Sequence, residues 1–159
     1  MTPEYLARYV LPPALSLLPA AMDTPNARAM LLAIALQESR CCHRRQVRGP
    51  AKSFWQFEIT GVRGVLAHKA SKPHIANALS VLAYPVTDDA TTPYVAIEHN
   101  DVLACVFARL LLWTLPGALP GKDDTEGAWL QYIDAWRPGK PHRATWNQYF
   151  GMAWAIVEG

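Results

Sequence analysis

The stretch TPNARAMLLAIALQES, from Thr24 to Ser39, decides the fold class. Thr24 followed by Pro25 predicts a helix start, because a threonine side chain caps the first turn and the fixed φ of proline suits the first helical position. Met30, Ile34 and Glu38 follow at intervals of four residues and therefore share one helix face. That face is apolar, so we expect Glu38 to come off the last turn on its buried side.

Helical spacing of apolar residues recurs along the rest of the chain. No segment combines sustained two-residue alternation with turn signals at both ends, and the breaks fall at prolines such as Pro12-Pro13 and Pro85. The sequence therefore predicts an all-α fold in a single domain over residues 1–159. Four later helices are expected: Ser71 to about Tyr84; a long one from Thr92-Pro93 through Val102, Val106, Leu110 and Trp113; one from Thr125 through Trp129 and Ile133 to Trp136; and a last one carrying Trp146, Tyr149, Phe150, Ala153 and Val157.

Composition narrows the class of protein. The chain has 159 residues, 51% of them hydrophobic and 18% charged, which is enough apolar material for one well-filled core. Three cysteines, two of them adjacent at Cys41 and Cys42, do not form a secreted disulfide framework. Cys41-Cys42-His43 has no second ligand pair at zinc-finger spacing, so no metal site is expected.

No targeting or membrane segment is predicted. The start Met1-Thr2-Pro3-Glu4 has no basic lead of a signal peptide. The longest apolar run, Val102 to Leu115, contains Arg109 and is too short to span a bilayer. We therefore expect synthesis in the cytoplasm without a signal peptide, and no membrane span.

Basic residues form two clusters: Arg40, His43, Arg44, Arg45 and Arg48, and later Arg137, Lys140, His142 and Arg143. Two interpretations stay open, namely solvated loops and the rims of a cleft for a weakly anionic polymer. The clusters fall in loops with proline and glycine rather than along one helical stripe, so nucleic acid is not an expected partner.

Glu38 is the candidate catalytic residue. A carboxyl group on a buried helix face loses hydration, which raises its pKa and favours the protonated form. A protonated carboxyl near neutral pH is what a general acid needs to protonate a glycosidic oxygen. The alternative is an ion pair between Glu38 and one of the arginines that follow it.

A second motif, GPAKSFWQFE from Gly49 to Glu58, follows the polar loop after Glu38-Ser39. Together these segments resemble the superfamily of goose-type lysozymes and soluble lytic transglycosylases. In that superfamily a helix-terminal glutamate, often followed by serine, precedes a loop and then a Gly-Leu-Met-Gln segment. Ser53-Phe54-Trp55-Gln56 stands at that place here, so serine replaces the glycine and Phe-Trp replaces Leu-Met.

The resemblance implies a lysozyme-like helical domain with a catalytic cleft, in which Glu38 is the general acid/base and Gln56 lines the cleft. Tyr132 is the counterpart of the family's cleft tyrosine. The resemblance further implies that peptidoglycan glycan strands are the substrate and that no cofactor is needed. It is closest to phage-encoded muralytic domains carried in the virion, which act on the periplasmic cell wall and have other virion proteins as partners.

Five further residues are assigned by their position. Ser39 is expected to bind substrate through an N-acetyl group, or else to bond the polar loop or its own backbone. Trp55, with Tyr132, is expected in the cleft, whereas Trp146 and Trp154 are expected in the core. For Glu58 two roles stay open: a second carboxylate that holds a water for hydrolysis, or a surface residue that starts the helix through Ile59 and Val62.

The sequence thus predicts cleavage of the glycan strand by a lytic transglycosylase or a lysozyme, with Glu38 essential in both. Two rival functions remain. One is a structural virion or tail protein that keeps this fold without activity. The other is a helical DNA-binding module that uses the arginine loop, although no helix offers a face rich in arginine, asparagine and glutamine.

Overall fold

The computed structural model describes residues 1–159, and every regular element in it is helical, which confirms the predicted all-α class. The only strand-like pairings are isolated bridges from Lys52 to Arg45 and to Phe57. The elements, in chain order, are α1 (Pro3–Tyr5), a π-turn (Leu6–Val10), α2 (Leu11–Leu15), a 3₁₀ turn (Ala20–Met22), α3 (Pro25–Ser39), α4 (Ile59–Ala67), α5 (Lys72–Val81), α6 (Thr91–Ala96), α7 (Asp101–Trp113), α8 (Thr125–Trp136) and α9 (Arg143–Glu158).

Helix α3 is the central element of the core. The Thr24 hydroxyl accepts a hydrogen bond from the Ala27 amide at 3.1 Å, which confirms the predicted cap. From Ala29 to Leu36 every residue of α3 is buried, because α9, α7 and the N-terminal helical segment pack around it. A helix that is apolar all round is stable only when it is enclosed in this way. Arg40 then adopts a left-handed conformation (φ 53°) and ends the helix.

The prediction of one long helix from Thr92-Pro93 is wrong, since two helices occupy this region. Helix α6 ends at Ala96, and the Asn100 side chain accepts a 2.9 Å hydrogen bond from the Leu103 amide to start α7 afresh. Asparagine favours such a cap because its side-chain oxygen replaces a helical acceptor. Apolar spacing alone did not reveal this interruption.

Two further boundaries differ from prediction. Helix α5 ends at Val81 rather than near Tyr84, and the Ser71 hydroxyl bonds the Val65 carbonyl at 2.6 Å instead of capping the helix. Pro12 and Pro13 do not break the N-terminal segment. They lie at the start of α2, where missing N–H groups cost little, and the π-turn before them has the Leu11 amide bonded to the Leu6 carbonyl.

None of these helices combines the length and the apolar character needed to cross a lipid bilayer. The buried side chains form one cluster that joins residues from both ends of the chain, from Leu6 to Trp154. The last turn of α3 reaches the edge of this cluster, where α8, α9 and the loop 40–58 meet. That position sets the surroundings of Glu38.

Candidate active site

Glu38 and Tyr132 form a direct pair at the end of α3. Glu38 is half-buried on the last turn of α3, and Tyr132, in α8, is only 2% exposed. The Tyr132 hydroxyl donates a hydrogen bond of 2.5 Å to Oε1 of Glu38. Two candidate site residues that lie far apart in the sequence are therefore in contact. The bond also fixes the orientation of the carboxyl group, because the tyrosine ring is held in the core.

Burial raises the pKa of Glu38 to about 7, and the hydrogen bond from Tyr132 opposes part of that rise. The direction of this pKa shift, and burial as its cause, are as the sequence predicted from the helix face. The expected alternative, an ion pair with a following arginine, is wrong: the side-chain partner of Glu38 is Tyr132. Burial and the neighbouring Glu38 carboxylate raise the pKa of the Tyr132 hydroxyl, so this hydroxyl stays protonated and remains a hydrogen-bond donor.

An aromatic stack holds Tyr132 in place. Its ring lies nearly parallel to that of Trp146, with centroids 5.0 Å apart and planes inclined by 11°. Trp129 and Trp136, on the same face of α8, contact it from either side at 5.4 and 6.3 Å. Trp146 is fully buried and Trp154 is 7% exposed, so both are core residues as predicted.

Ser39 connects the end of α3 to the second motif. Its hydroxyl donates to the Phe54 carbonyl at 2.7 Å and also lies 3.1 Å from the Ala35 carbonyl. The side chain is 6% exposed and its single proton is directed to these carbonyls. Ser39 therefore bonds both the loop and its own helix, which are two of its expected roles. The geometry gives no support to the third role, in which Ser39 binds an N-acetyl group.

The prediction that Trp55 lies in the cleft is wrong. Trp55 is fully buried, and its indole N–H donates to the Leu31 carbonyl in the middle of α3 at 2.9 Å. A ring enclosed in this way has no face for a sugar. The sequence could not separate the roles, because a large aromatic residue after a polar loop suits a core anchor as well as a stacking surface.

Gln56 is half-buried, and its side-chain amide is turned toward the loop. Its Nε2 donates to the carbonyls of Ser53 (2.7 Å) and His43 (3.2 Å). The backbone of Gln56 is left-handed (φ 48°), which tightens the turn around Ser53. These contacts hold residues 43–57 together, so Gln56 shapes the polar loop next to Glu38. That Gln56 itself contacts substrate stays a prediction.

Glu58 lies at the start of α4, as expected for a surface residue that starts this helix. The residue is exposed, it immediately precedes Ile59, and its side chain bonds none of the first amides of the helix. A carboxylate at this end of a helix is favoured by the positive potential of the free N–H groups. The other expected role, in which Glu58 holds a water, stays a prediction.

The arginine loop, which carries Arg40, Arg44, Arg45 and Arg48, has both paired and unpaired arginine side chains. Arg44 makes two hydrogen bonds to Asp101 at the start of α7, at 2.8 and 2.6 Å, and Arg45 lies 3.4 Å from Glu98. Arg40 and Arg48 are exposed and form no ion pair. Two of the four arginines therefore fasten the loop to the start of α7 and the residues just before it, and the other two remain available to an anionic partner.

The second basic cluster adjoins the end of α3 through Gln37. The Gln37 amide donates to the His142 carbonyl at 2.9 Å, and the Thr145 hydroxyl donates to Gln37 Oε1 at 3.1 Å. Arg143, next to His142, pairs with Glu126 at 2.6 Å. Residues next to Glu38 in sequence thus fix the start of α9, which brings part of this cluster to the same end of α3.

Two tryptophans support the site, and the sequence predicts Trp146 in the core but indicates no role for Trp136. The Trp136 indole donates to the Trp55 carbonyl at 2.8 Å and so ties α8 to the loop, and Trp146 supports the Tyr132 ring. The spacing of Trp129, Tyr132 and Trp136 by three and four residues places them on one face of α8. That spacing was the available signal for an aromatic wall around the predicted tyrosine.

No group of three or more histidine, cysteine, aspartate or glutamate side chains is arranged to hold a metal ion. Cys41 and Cys105 are buried thiols and Cys42 is an exposed one. A surface cavity of about 420 Å³ lies at the other end of α3, where it is lined by residues such as Thr24 and Trp113 and includes none of the predicted site residues.

Comparison with known protein families, with curated proteins and with solved structures found no match for this chain. The geometry of Glu38 and its neighbours is therefore the basis on which a function is proposed.

Proposed function

We propose that this protein cleaves the glycan strands of peptidoglycan, with Glu38 as the general acid and base. The observation that carries the proposal is the state of Glu38: a desolvated carboxyl group with a pKa of about 7, oriented by the Tyr132 hydroxyl at 2.5 Å. A general acid is most effective when its pKa lies near the working pH, because it can then both give and take a proton.

In the proposed reaction Glu38 donates its proton to the oxygen of the glycosidic bond. The bond between that oxygen and the sugar carbon breaks, and the leaving sugar departs as an alcohol. A hydroxyl group then attacks the carbon and gives its proton back to the Glu38 carboxylate. In a lytic transglycosylase this hydroxyl is the primary hydroxyl of the same sugar, and in a lysozyme it belongs to water.

The surroundings of Glu38 support this chemistry in two ways. The buried stack of Tyr132 on Trp146 keeps the hydrogen-bond donor rigid, which holds one carboxyl oxygen while the other remains for the reacting oxygen. The exposed Arg40 and Arg48 follow on the loop and supply positive charge for a polymer whose peptide stems carry carboxylates. Neither feature determines whether the attacking hydroxyl belongs to the sugar or to water.

The test is mass spectrometry of the fragments that the purified protein releases from peptidoglycan sacculi. Anhydro sugar ends would identify a lytic transglycosylase, and reducing ends would identify a lysozyme. Glu38→Gln keeps the shape of the side chain and removes the proton donor, so release should fall by about 100-fold or more. Glu4→Gln makes the same chemical change at an exposed carboxylate of α1 and should leave release unchanged.

Two results would overturn the proposal. The first is a Glu38→Gln variant that keeps more than about a tenth of wild-type release, since a general acid contributes more than that. The second is a wild-type protein that binds sacculi and releases no fragment, which would favour a structural role for the same fold.

A further inference from the structure

Arg109, on α7, is a buried cation, and one of its side-chain N–H donors has no hydrogen-bond acceptor. The residue is 3% exposed, and its Nε donates to the Met22 carbonyl at 2.8 Å. Its Nη1 is buried and has no acceptor anywhere in the protein. Buried donors are rarely left unpaired, and a charged donor is the costliest case. The proposed reaction at Glu38 makes no use of this side chain.

Arg109 also lacks a hydrogen-bonded counterion. Asp23 acts on it electrostatically, but both oxygens of Asp23 are bound by Arg28, at 2.7 and 2.8 Å. The indole of Trp113 covers the guanidinium, whose central carbon lies 5.2 Å from the ring centroid. Burial lowers the pKa of Arg109 to about 10, so the group is still protonated at neutral pH. The fold therefore keeps a positive charge that no carboxylate of the protein pairs with through a hydrogen bond.

Arg109 is one of the residues that line the cavity of about 420 Å³, a volume within the range of small-molecule sites. Leu112 and Leu119 give the cavity an apolar wall, and Trp113 lies at its solvent side, 38% exposed. The enclosing loop is fastened in place, because the Asn26 side chain donates to the Leu119 carbonyl at 3.0 Å. The cavity is thus formed in advance rather than made by movement of a loose loop.

The first turn of α3 adds a second source of positive potential. Thr24 and Asn26, at the N-terminal end of this helix, line the same cavity. Pro25 has no N–H and the Ala27 amide is bonded to the Thr24 hydroxyl, so the Asn26 amide is the N–H of this first turn that remains free for an anion. A cavity that combines this end of a helix with an unpaired guanidinium and apolar walls is complementary to an anion attached to an apolar group.

We propose that this cavity binds a carboxylate carried by an apolar group, with Arg109 as its ionic partner. A carboxylate fits because it supplies the charged hydrogen-bond acceptor that the Arg109 side chain lacks, and apolar atoms next to it can contact Leu112 and Leu119. The site is separate from Glu38: the twelve residue steps along α3 from Asn26 to Glu38 span about 18 Å at the usual helical rise. The proposal therefore does not depend on the activity proposed for Glu38.

Isothermal titration calorimetry with simple probes tests the proposal. Phenylacetate represents a small organic acid, N-acetyl-alanyl-phenylalanine represents a peptide C-terminus, and phenylacetamide is the neutral match for the first. We expect saturable binding of at least one carboxylate at millimolar concentration or below, about tenfold tighter than the amide. Tighter binding of the dipeptide would identify the ligand as a chain terminus, and tighter binding of phenylacetate would identify it as a small acid.

Three variants connect the binding to the cavity. Arg109→Gln should weaken carboxylate binding by about tenfold or more, because the charge is lost. Ala118→Trp places a large ring at the exposed mouth of the cavity and should block binding without disturbing the buried charge. Ala144→Trp adds the same ring at an exposed position of α9, beyond the other end of α3, and should bind like the wild type.

Several results would overturn the proposal: no saturable binding of either carboxylate, equal binding of phenylacetamide, or binding of inorganic phosphate in preference to both carboxylates. Undiminished binding in Ala118→Trp would also overturn it. If Arg109→Gln does not fold, Ala118→Trp and the comparison of acid with amide still decide the question.

Discussion

The hydroxyl of Tyr132 donates a 2.5 Å hydrogen bond to Oε1 of Glu38 across a separation of 94 residues in the chain. The two residues jointly set the affinity of the carboxyl group for its proton. Burial favours the neutral carboxylic acid, whereas the tyrosine hydroxyl favours the carboxylate, and the balance leaves the pKa of Glu38 at about 7. Each contribution can be removed separately.

Tyr132→Phe removes the hydrogen bond and keeps the ring in its stack on Trp146. Because that bond stabilises the carboxylate, its loss should raise the pKa of Glu38 above about 7. The carbon-13 chemical shift of the Glu38 carboxyl group, followed by NMR against pH, measures this directly. The high-pH limb of the proposed glycan cleavage should move up by the same amount. Tyr149→Phe on α9 is the control, and a pKa that falls or stays constant in Tyr132→Phe would contradict the expectation.

Glu38→Gln should stabilise the protein at high pH. The pKa of Glu38 is about 7 in the folded state against its usual 4.5, so the folded state binds the proton more tightly than the unfolded state does. The wild type therefore loses stability as the pH rises from about 4.5 through about 7, by up to about 3 kcal/mol. The glutamine variant does not titrate. Urea unfolding should show it more stable at pH 8 and equal to the wild type below pH 4.

An exposed carboxylate provides the comparison for that experiment. Glu4→Gln changes a side chain whose pKa is lowered by the Thr2 hydroxyl, so its effect on stability against pH should have the opposite sign. A Glu38→Gln variant that is less stable than the wild type at pH 8 would mean that the buried carboxylate is better solvated than its surroundings indicate.

Ser39→Ala tests the connection between α3 and the loop. The variant removes the donor to the Phe54 carbonyl and leaves that buried acceptor unpaired, which should cost about 1–3 kcal/mol of unfolding free energy. Ser80→Ala, at an exposed position of α5, should change stability by about 0.5 kcal/mol or less. Chemical denaturation compares the two. Similar values for both variants would show that the Ser39 hydroxyl does not hold the loop.

Glu58→Gln separates the two roles left open for this residue. Its exposed place before α4 indicates a small effect on activity and a stability loss of about 0.3–1 kcal/mol from the weaker interaction with the helix terminus. Release of fragments from sacculi and the midpoint of thermal unfolding should be measured on the same sample. A strong loss of release with unchanged stability would instead assign Glu58 to the water that attacks the sugar.

Two double variants of the arginine loop should behave differently. Arg44→Gln with Arg45→Gln removes the pairs with Asp101 and Glu98, so it should lower stability, by about 1 kcal/mol since these side chains are partly solvated. Arg40→Gln with Arg48→Gln should keep stability and weaken binding to sacculi at low salt only, since exposed charges are screened. Sedimentation of sacculi at two salt concentrations measures binding, and equal behaviour of the two variants would contradict this division.

Helical periodicity, the Thr24-Pro25 start and the interval from Ile34 to Glu38 are local features, and from them the sequence determined the all-α class, the start of α3 and the alignment of Glu38 with the apolar residues before it. A helix face follows from spacing alone, because 3.6 residues complete one turn in any context. The raised pKa of Glu38 followed from the same spacing, since its largest cause is burial. The break at Asn100 was also local, but the apolar spacing across it concealed the cap.

Only the tertiary structure decided which side chains meet. Trp55 lies in the core and Trp136 at the site because of how α8 and the loop pack on α3, although both are aromatic residues near the predicted motifs. Arg44 pairs with Asp101 rather than with Glu38 for the same reason. Such contacts join residues far apart in the chain, and they depend on distances of a few ångströms that no spacing along one helix fixes. The physical reason is that secondary structure is set by neighbours in sequence, whereas hydrogen-bond partners are set by neighbours in space.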